Sequence, residues 1–247
     1  MLKVVGLSKS FGGVKAVQNC KFEIERGSIV GLIGPNGAGK TTVFNLITGF
    51  LKPDRGNIIY RRKNITNMPP HKIAQLGIGR TFQIIRLFPQ LTVLENMLLA
   101  IPSNDSLFTS ALQFRVVAKE QKENIEKAME LLKFVGLDIK VNALAQNLSY
   151  GQQKLLEIAR VLALDADLLL LDEPASGVNL TLLKKIAGLI KNMRKSGKTI
   201  LLIEHNMDFV MKICDKVIAM DHGKEIAYGT PKQIQKNKLV LDAYLGG

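Results

Sequence analysis

The sequence predicts an α/β fold interrupted by a helical insertion. SIVGLIG (28–34) and DLLLLDEP (167–174) are continuous apolar runs of strand length, the pattern of strands buried on both faces of a parallel sheet. A helical segment follows each run. From about 92 to 135, strand–helix alternation gives way to apolar residues at three- and four-residue steps.

Element by element, the opening segment alternates weakly. FGGVKAVQNCKFEIERG then sets Val17, Cys20, Phe22 and Ile24 in a strand that enters a turn at Gly27. SIVGLIG runs into GPNGAGKTT and a helix, VFNLITGF, whose end is marked by Gly49 and Pro53. GNIIY (56–60) reads as a strand, PPHKIAQL as a short helix with prolines at its start, and IGRTF (78–82) as a strand ending at Gln83. TVLENMLLAI and SALQFRVVAKEQKENIEKAMELLKFVGL are helical. The second carries Ile125, Met129, Leu132 and Val135 at helical spacing and stops at Gly136. A helix over about 180–195, the strand TILLIEH (199–205), a short helix over 206–213 and a hairpin-like pair around DHG (221–223) follow.

At 247 residues, with 47% apolar and 22% charged residues, the chain can bury a sizeable core and is too apolar for disorder. Its longest apolar runs, such as LLLL (168–171) and ILLI (200–203), fall far short of the roughly 18–20 residues that cross a bilayer. The N-terminus lacks the apolar core and cleavage site of a secretory signal. Cys20 and Cys214 are neither spaced for a metal nor numerous enough for a disulfide framework. The expectation is a soluble cytosolic protein with two packing cysteines. The formal charge of +13 suits nucleic acid, an anionic membrane face and nucleotide phosphates alike. Only RRK (61–63) is clustered, and no aromatic residues interleave with it, so charge alone does not choose a partner.

Chemistry enters at Gly34-Pro35-Asn36-Gly37-Ala38-Gly39-Lys40-Thr41, which fits G-x-x-x-x-G-K-[ST] between a strand and a helix. The glycines let backbone N–H groups from Asn36 to Thr41 wrap phosphate oxygens without Cβ clashes. Lys40 reaches the β- and γ-phosphates, and the Thr41 hydroxyl sits on Mg²⁺. At the end of the second buried run, Asp172 can hold the magnesium through water, and Glu173 can orient or deprotonate an attacking water. Nucleotide hydrolysis follows from these two motifs together. No N-K-x-D motif follows, which favours ATP over GTP. A further anion site stands at LSYGQQ (148–153), a small polar turn opening a helix with Leu155, Ile158, Ala159 and Leu162 at helical spacing.

Together these motifs resemble the ATPase subunit of ATP-binding cassette (ABC) transporters, from about Leu2 to the final helix. LSYGQQ is similar to the family signature with Tyr150 in place of a glycine, and DEPASGVNL to the extended Walker B motif and D-loop. IEH is similar to the switch-histidine segment, with His205 as the γ-phosphate contact. Gln83 resembles the Q-loop glutamine, and Phe11 falls where an aromatic stacks on adenine. The resemblance implies an ABC ATPase fold: a RecA-like P-loop NTPase core with an N-terminal antiparallel β subdomain (1–83 and 156–247) and a helical signature subdomain (84–155). It implies Glu173, His205, Lys40 and Gln83 as catalytic residues. Phe11, Gly34 to Thr42 (Thr42 included), Ser149, Gly151 and Gln152 would bind ATP, and Thr41, Gln83 and Asp172 would hold Mg²⁺. Two cassettes associate head to tail in this family, so Ser149, Gly151 and Gln152 would serve the partner's nucleotide.

RTFQIIRLFPQLTVLENMLLA, LSYGQQKLLEIAR, DEPASGVN and IEHNMDFVM resemble, more narrowly, the branched-chain amino-acid uptake ATPases. That branch implies two permease subunits, a second ATPase subunit (a different one by preference, a homodimer otherwise) and an external solute-binding protein. It implies a peripheral location on the cytoplasmic membrane face and no nucleic-acid partner. Asn179 stands where most cassettes have the D-loop aspartate and Leu180 where proline is common, so an altered dimer contact with retained hydrolysis is expected. The apolar run IIRLFPQL, with Phe88 and Leu91, is expected to dock a permease helix. Two alternatives stay open: uptake of another amino acid or a urea-like solute, and a non-transport ABC ATPase acting on nucleic acid.

Overall fold

The computed structural model describes residues 1–82, 86–102 and 113–245. They form two compact units, one of Met1–Arg80 with Asp167–Gly247 and the other of Thr81–Ala166. Gln83, Ile84 and Ile85 lie outside the described residues, as does the start of the second helical segment at 110–112.

In the first unit the chain runs through β1 (Leu2–Phe11), β2 (Val14–Ile24), β3 (Ile29–Ile33), α1 (Lys40–Ile47), β4 (Arg55–Tyr60), β5 (Lys63–Asn64), α2 (Pro70–Gln75) and β6 (Ile78–Arg80). The second unit contributes α3 (Val93–Leu98), α4 (Gln113–Val135) and α5 (Tyr150–Ala163). The return passage holds β7 (Leu168–Asp172), α6 (Leu180–Lys195), β8 (Thr199–Ile203), α7 (Met207–Ile213), β9 (Lys216–Asp221), β10 (Lys224–Gly229), α8 (Pro231–Gln235) and α9 (Lys238–Leu245).

The first unit contains two sheets. One is antiparallel, in the order β2-β1-β4-β5, and the other runs β10-β9-β3-β8-β7-β6. In the larger sheet β6, β7, β8, β3 and β9 are parallel, and β10 closes the edge antiparallel to β9. Every residue of β3, β7 and β8 is buried, which explains runs that are continuously apolar rather than alternating. Leu32, Leu170, Leu201 and Ile203 share one core with Val43, Phe44 and Ile47 of α1 and with Val4, Ile58 and Tyr60 of the antiparallel sheet. Gly31 lets α7 approach β3 closely, because a Cβ there would stand 3.0 Å from Val210 and 3.1 Å from Cys214 Sγ. Cys20 and Cys214 are buried, free thiols.

The register places the site. β8 lies between β3 and β7, pairing Leu32 with Ile203 and Ile203 with Asp172. Three chain segments therefore leave one edge of the sheet side by side: the phosphate loop, Asp172-Glu173 and Glu204-His205. Ligands of open α/β sheets bind at this carboxyl-terminal edge.

Two local expectations differ. The strand expected over IGRTF stops at Arg80, because the Phe82 N–H is taken by the Glu157 carboxylate of α5 at 3.1 Å. Ile125 is exposed, whereas Ala128, Leu132 and Val135 on the same helix are buried. Gly136, at φ +69°, ends it. The divisions between units fall after Arg80 and after Ala166, so α5 lies whole within the second unit. In that unit the fully buried Asn96 organises the chain before α3. Its side chain accepts from the Phe88 N–H at 2.9 Å and donates to the carbonyls of Phe88 and Thr92, each at 3.0 Å. Phe88 itself is half-exposed, with the Arg160 guanidinium 5.5 Å from its ring centroid.

Candidate nucleotide site

The phosphate loop is shaped by three glycines with distinct roles. Gly34 has φ +151°, and a Cβ there would come within 2.2 Å of the Met220 carbonyl oxygen. Gly39 has φ +96°, and a Cβ would stand 2.3 Å from the Ala16 carbonyl oxygen. Both therefore lie against backbone. Gly37, at φ +80°, has open space above it, where a bound group can approach the main chain. Asn36 and Gly37 line an open cavity bounded also by Asp221, His222 and Leu239.

Lys40 closes the loop. Its side chain is buried, and Nζ donates to the carbonyls of Gly34 and Pro35, each at 2.8 Å. Burial pushes its pKa down, while the carboxylates of Glu173 and then Asp172 pull it back up. An ammonium held this way costs desolvation that incoming phosphate charge offsets. Helix α1 begins at this lysine with Gly39 at its N-cap and no side chain capping it. By contrast, α3, α5, α6, α7 and α8 are capped by Thr92, Ser149, Asn179, Asn206 and Thr230. The opening N–H groups of α1, including those of Thr41 and Thr42, thus receive no capping side chain, and a helix start of this kind suits an anion. Thr41 is exposed and Asp172 buried; hydroxyl and carboxylate oxygens are the hard donors that suit magnesium.

Beyond Asp172 the backbone turns sharply. Glu173 has φ +49°, an uncommon conformation for a non-glycine residue, and its N–H donates to the Ile203 carbonyl at 3.0 Å. Its Oε1 lies 2.8 Å from His205 Nε2. Glu204, between His205 and the buried strand, points inward, accepting from the Ala175 N–H at 2.6 Å and the His205 N–H at 3.2 Å. It joins the two turns on which Glu173 and His205 stand. Sequence reasoning missed Glu204; the signal was a carboxylate placed directly after a wholly apolar strand. It also missed Arg80, whose guanidinium meets Asp172 at 3.1 Å.

Phe11 ends β1 as a half-exposed ring, with the Lys9 ammonium 5.6 Å from its centroid. It belongs to the β1–β2 hairpin whose Ala16 abuts Gly39. Gln83 is outside the described residues. Ser149, Gly151 and Gln152 lie in the second unit, where Ser149 and Gln152 form a reciprocal cap at the start of α5. Ser149 Oγ accepts from the Gln152 N–H at 3.3 Å, and Gln152 Oε1 accepts from the Ser149 N–H at 3.0 Å. The serine hydroxyl proton and the glutamine amide nitrogen are donors beyond those the cap consumes. Asn179 caps α6, accepting from the Leu182 N–H at 2.9 Å; asparagine and aspartate serve equally well at that position.

The family model described as ABC transporter matches residues 17–176. This chain belongs to the ABC transporter family. A second model, described as branched-chain amino acid ATP-binding cassette transporter, matches residues 224–247. The high-affinity branched-chain amino acid transport ATP-binding protein LivG of Escherichia coli K12 is 44% identical to this ABC ATPase, covering 100% of this chain and 98% of its own length. The probable LivG of Archaeoglobus fulgidus is 42% identical, over 100% of this chain and 95% of its own. An ATP-binding cassette of an ABC transporter, crystallised in its ADP conformation, superposes with a TM-score of 0.87 at 34% identity, covering 100% of this chain and 99% of that one. The ABC ATPase thus falls among the branched-chain amino acid transport ATP-binding proteins.

Proposed function

We propose that this chain is the ATP-hydrolysing subunit of an importer for branched-chain amino acids. Among the described residues no helix is long and apolar enough to cross a membrane. The solute path is proposed to belong to partner permease subunits, with the chain on their cytoplasmic side. A second cassette completes the assembly, and a solute-binding protein delivers the amino acid from outside. The observation that carries the hydrolytic reading is the register of β3, β8 and β7, which brings the phosphate loop, Asp172-Glu173 and His205 out of one sheet edge.

Lys40 and the N–H groups opening α1 bind the ATP phosphates, and the half-exposed Phe11 ring offers a face to the adenine. Thr41 and Asp172 would hold magnesium, which neutralises phosphate charge when bound. Gln83 is proposed as a further contact to it. Glu173 holds the attacking water and takes its proton, and His205, proposed as the γ-phosphate contact, also orients the Glu173 carboxylate from 2.8 Å. Ser149, Gly151 and Gln152 are proposed to serve the nucleotide of the opposing cassette.

The test is gentle membrane extraction of the tagged chain, followed by identification of its companions and reconstitution in vesicles. Recovery with two multi-span permeases and a second cassette, and ATP hydrolysis stimulated by leucine-loaded binding protein, is the expected result. Recovery with nucleic acid and no membrane partner would overturn the transport reading.

A further inference from the structure

Arg80 is the last residue of β6, with 6% of its side chain exposed against 3% for that of Asp172. Its guanidinium reaches two elements at once. Nη2 donates to Asp172 Oδ2 at 3.1 Å, while Nη1 donates to Asn45 Oδ1 at 2.7 Å and Thr48 Oγ1 at 3.1 Å. The Phe44 ring centroid lies 5.4 Å from the guanidinium carbon. Phe44 and Asn45 belong to α1 and Thr48 is its C-cap. One buried side chain therefore ties the end of β7 to the helix that carries Lys40 and Thr41. A planar fork can make these contacts together; a lysine ammonium, a single point of charge on a flexible stem, cannot reproduce them.

We propose that Arg80 is a positioning residue for the magnesium site, fixing the Asp172 carboxylate relative to α1 and hence to Thr41. The inference rests on the proposed metal-holding role of Asp172 and Thr41. Hydrogen bonds behind a metal ligand fix its orientation, and losing one typically weakens metal binding by about 10- to 100-fold. Arg80 acts through Asp172 and touches neither nucleotide nor water in this role.

The experiment uses the full chain with ATP and Mn²⁺ as an EPR-visible probe, beside binding of a fluorescent ATP analogue in EDTA. Arg80→Met is expected to leave metal-free nucleotide affinity near that of the parent chain and to weaken Mn²⁺ binding in the ternary complex by about 10- to 100-fold. Arg80→Lys should fall between the two. Mn²⁺ binding by both variants at the parent affinity, while Asp172→Asn weakens it, would reduce Arg80 to a structural role. Should Arg80→Met fail to fold, parent-like Mn²⁺ binding by Arg80→Lys alone overturns the inference. Unchanged Mn²⁺ binding by Asp172→Asn would instead remove the metal reading of Asp172, and this inference with it.

Discussion

Glu173 Oε1 and His205 Nε2 stand 2.8 Å apart, although 32 residues separate them in sequence. Glu204 joins their turns by accepting the Ala175 and His205 N–H groups. The carboxylate proposed to activate water is thus held from two sides: by an imidazole and by a backbone turn fastened to the next strand. A carboxylate oriented in this way would meet an attacking water with little rotamer freedom left to lose.

If Glu173 takes the proton from water, Glu173→Gln should bind MgATP with parent affinity and hydrolyse it about 100-fold more slowly or worse. His205→Ala should also slow the chemical step. In the Glu173→Gln background it should add little, since residues acting as a unit are non-additive. Single-turnover hydrolysis by the assembled complex checks the cycle. Near-parental turnover in Glu173→Gln would remove it as the base, and fully additive losses would separate His205 from it.

The glycines of the phosphate loop should respond differently to alanine. Gly34→Ala and Gly39→Ala drive a Cβ into a backbone carbonyl, at 2.2 and 2.3 Å. Both should be markedly destabilised or fail to fold. Gly37→Ala meets only its unfavourable φ, a cost of about 1–2 kcal/mol, or several degrees of Tm. It should therefore remain folded while losing nucleotide affinity, because the methyl occupies the space above the loop. Thermal melts beside nucleotide titrations separate the two classes.

The strands carrying this site were legible because burial on both faces leaves an unbroken apolar run, and β3, β7 and β8 are such strands. Lys40, Asp172 and Glu173 were read from motifs at the ends of β3 and β7, and His205 from the family resemblance. Glu204 and Arg80 were not, since each works through partners distant in sequence: Glu204 through Ala175, and Arg80 through Asn45, Thr48 and Asp172. Strand order also had to come from the structure. Local pattern identifies three buried strands, but pairing alone sets β8 between the other two. Ile125 shows the converse, an apolar residue at helical spacing that the unit leaves exposed.

The two cysteines offer a probe of the fold itself. Burial, with Glu225 nearby, pushes the Cys20 thiol up to about 12, and burial raises that of Cys214 too. A raised value keeps a thiol protonated through neutral and mildly alkaline pH, and only the thiolate is a good nucleophile. At pH 8 the folded chain should leave a colourless disulfide reagent unreduced, and both thiols should react at once in guanidinium. Rapid labelling of Cys214 in the native chain would reveal opening between β3 and α7, where its sulfur lies 3.1 Å from the Cβ position of Gly31.

Ser149 has two proposed duties that one pair of substitutions can divide. In this chain its Oγ caps α5 by accepting the Gln152 N–H. In the assembled transporter it would donate to the nucleotide of the opposing cassette. Ser149→Ala removes both, and loss of the cap alone should cost about 1 kcal/mol of stability. Ser149→Asp keeps the cap, because a carboxylate oxygen accepts the same N–H, but it sets a negative charge where a phosphate would arrive. The expected pattern is a lowered Tm for Ser149→Ala, a parental Tm for Ser149→Asp, and impaired hydrolysis by the assembled complex for both. Parental hydrolysis in the aspartate variant would confine Ser149 to capping its own helix and leave the opposing nucleotide to Gly151 and Gln152.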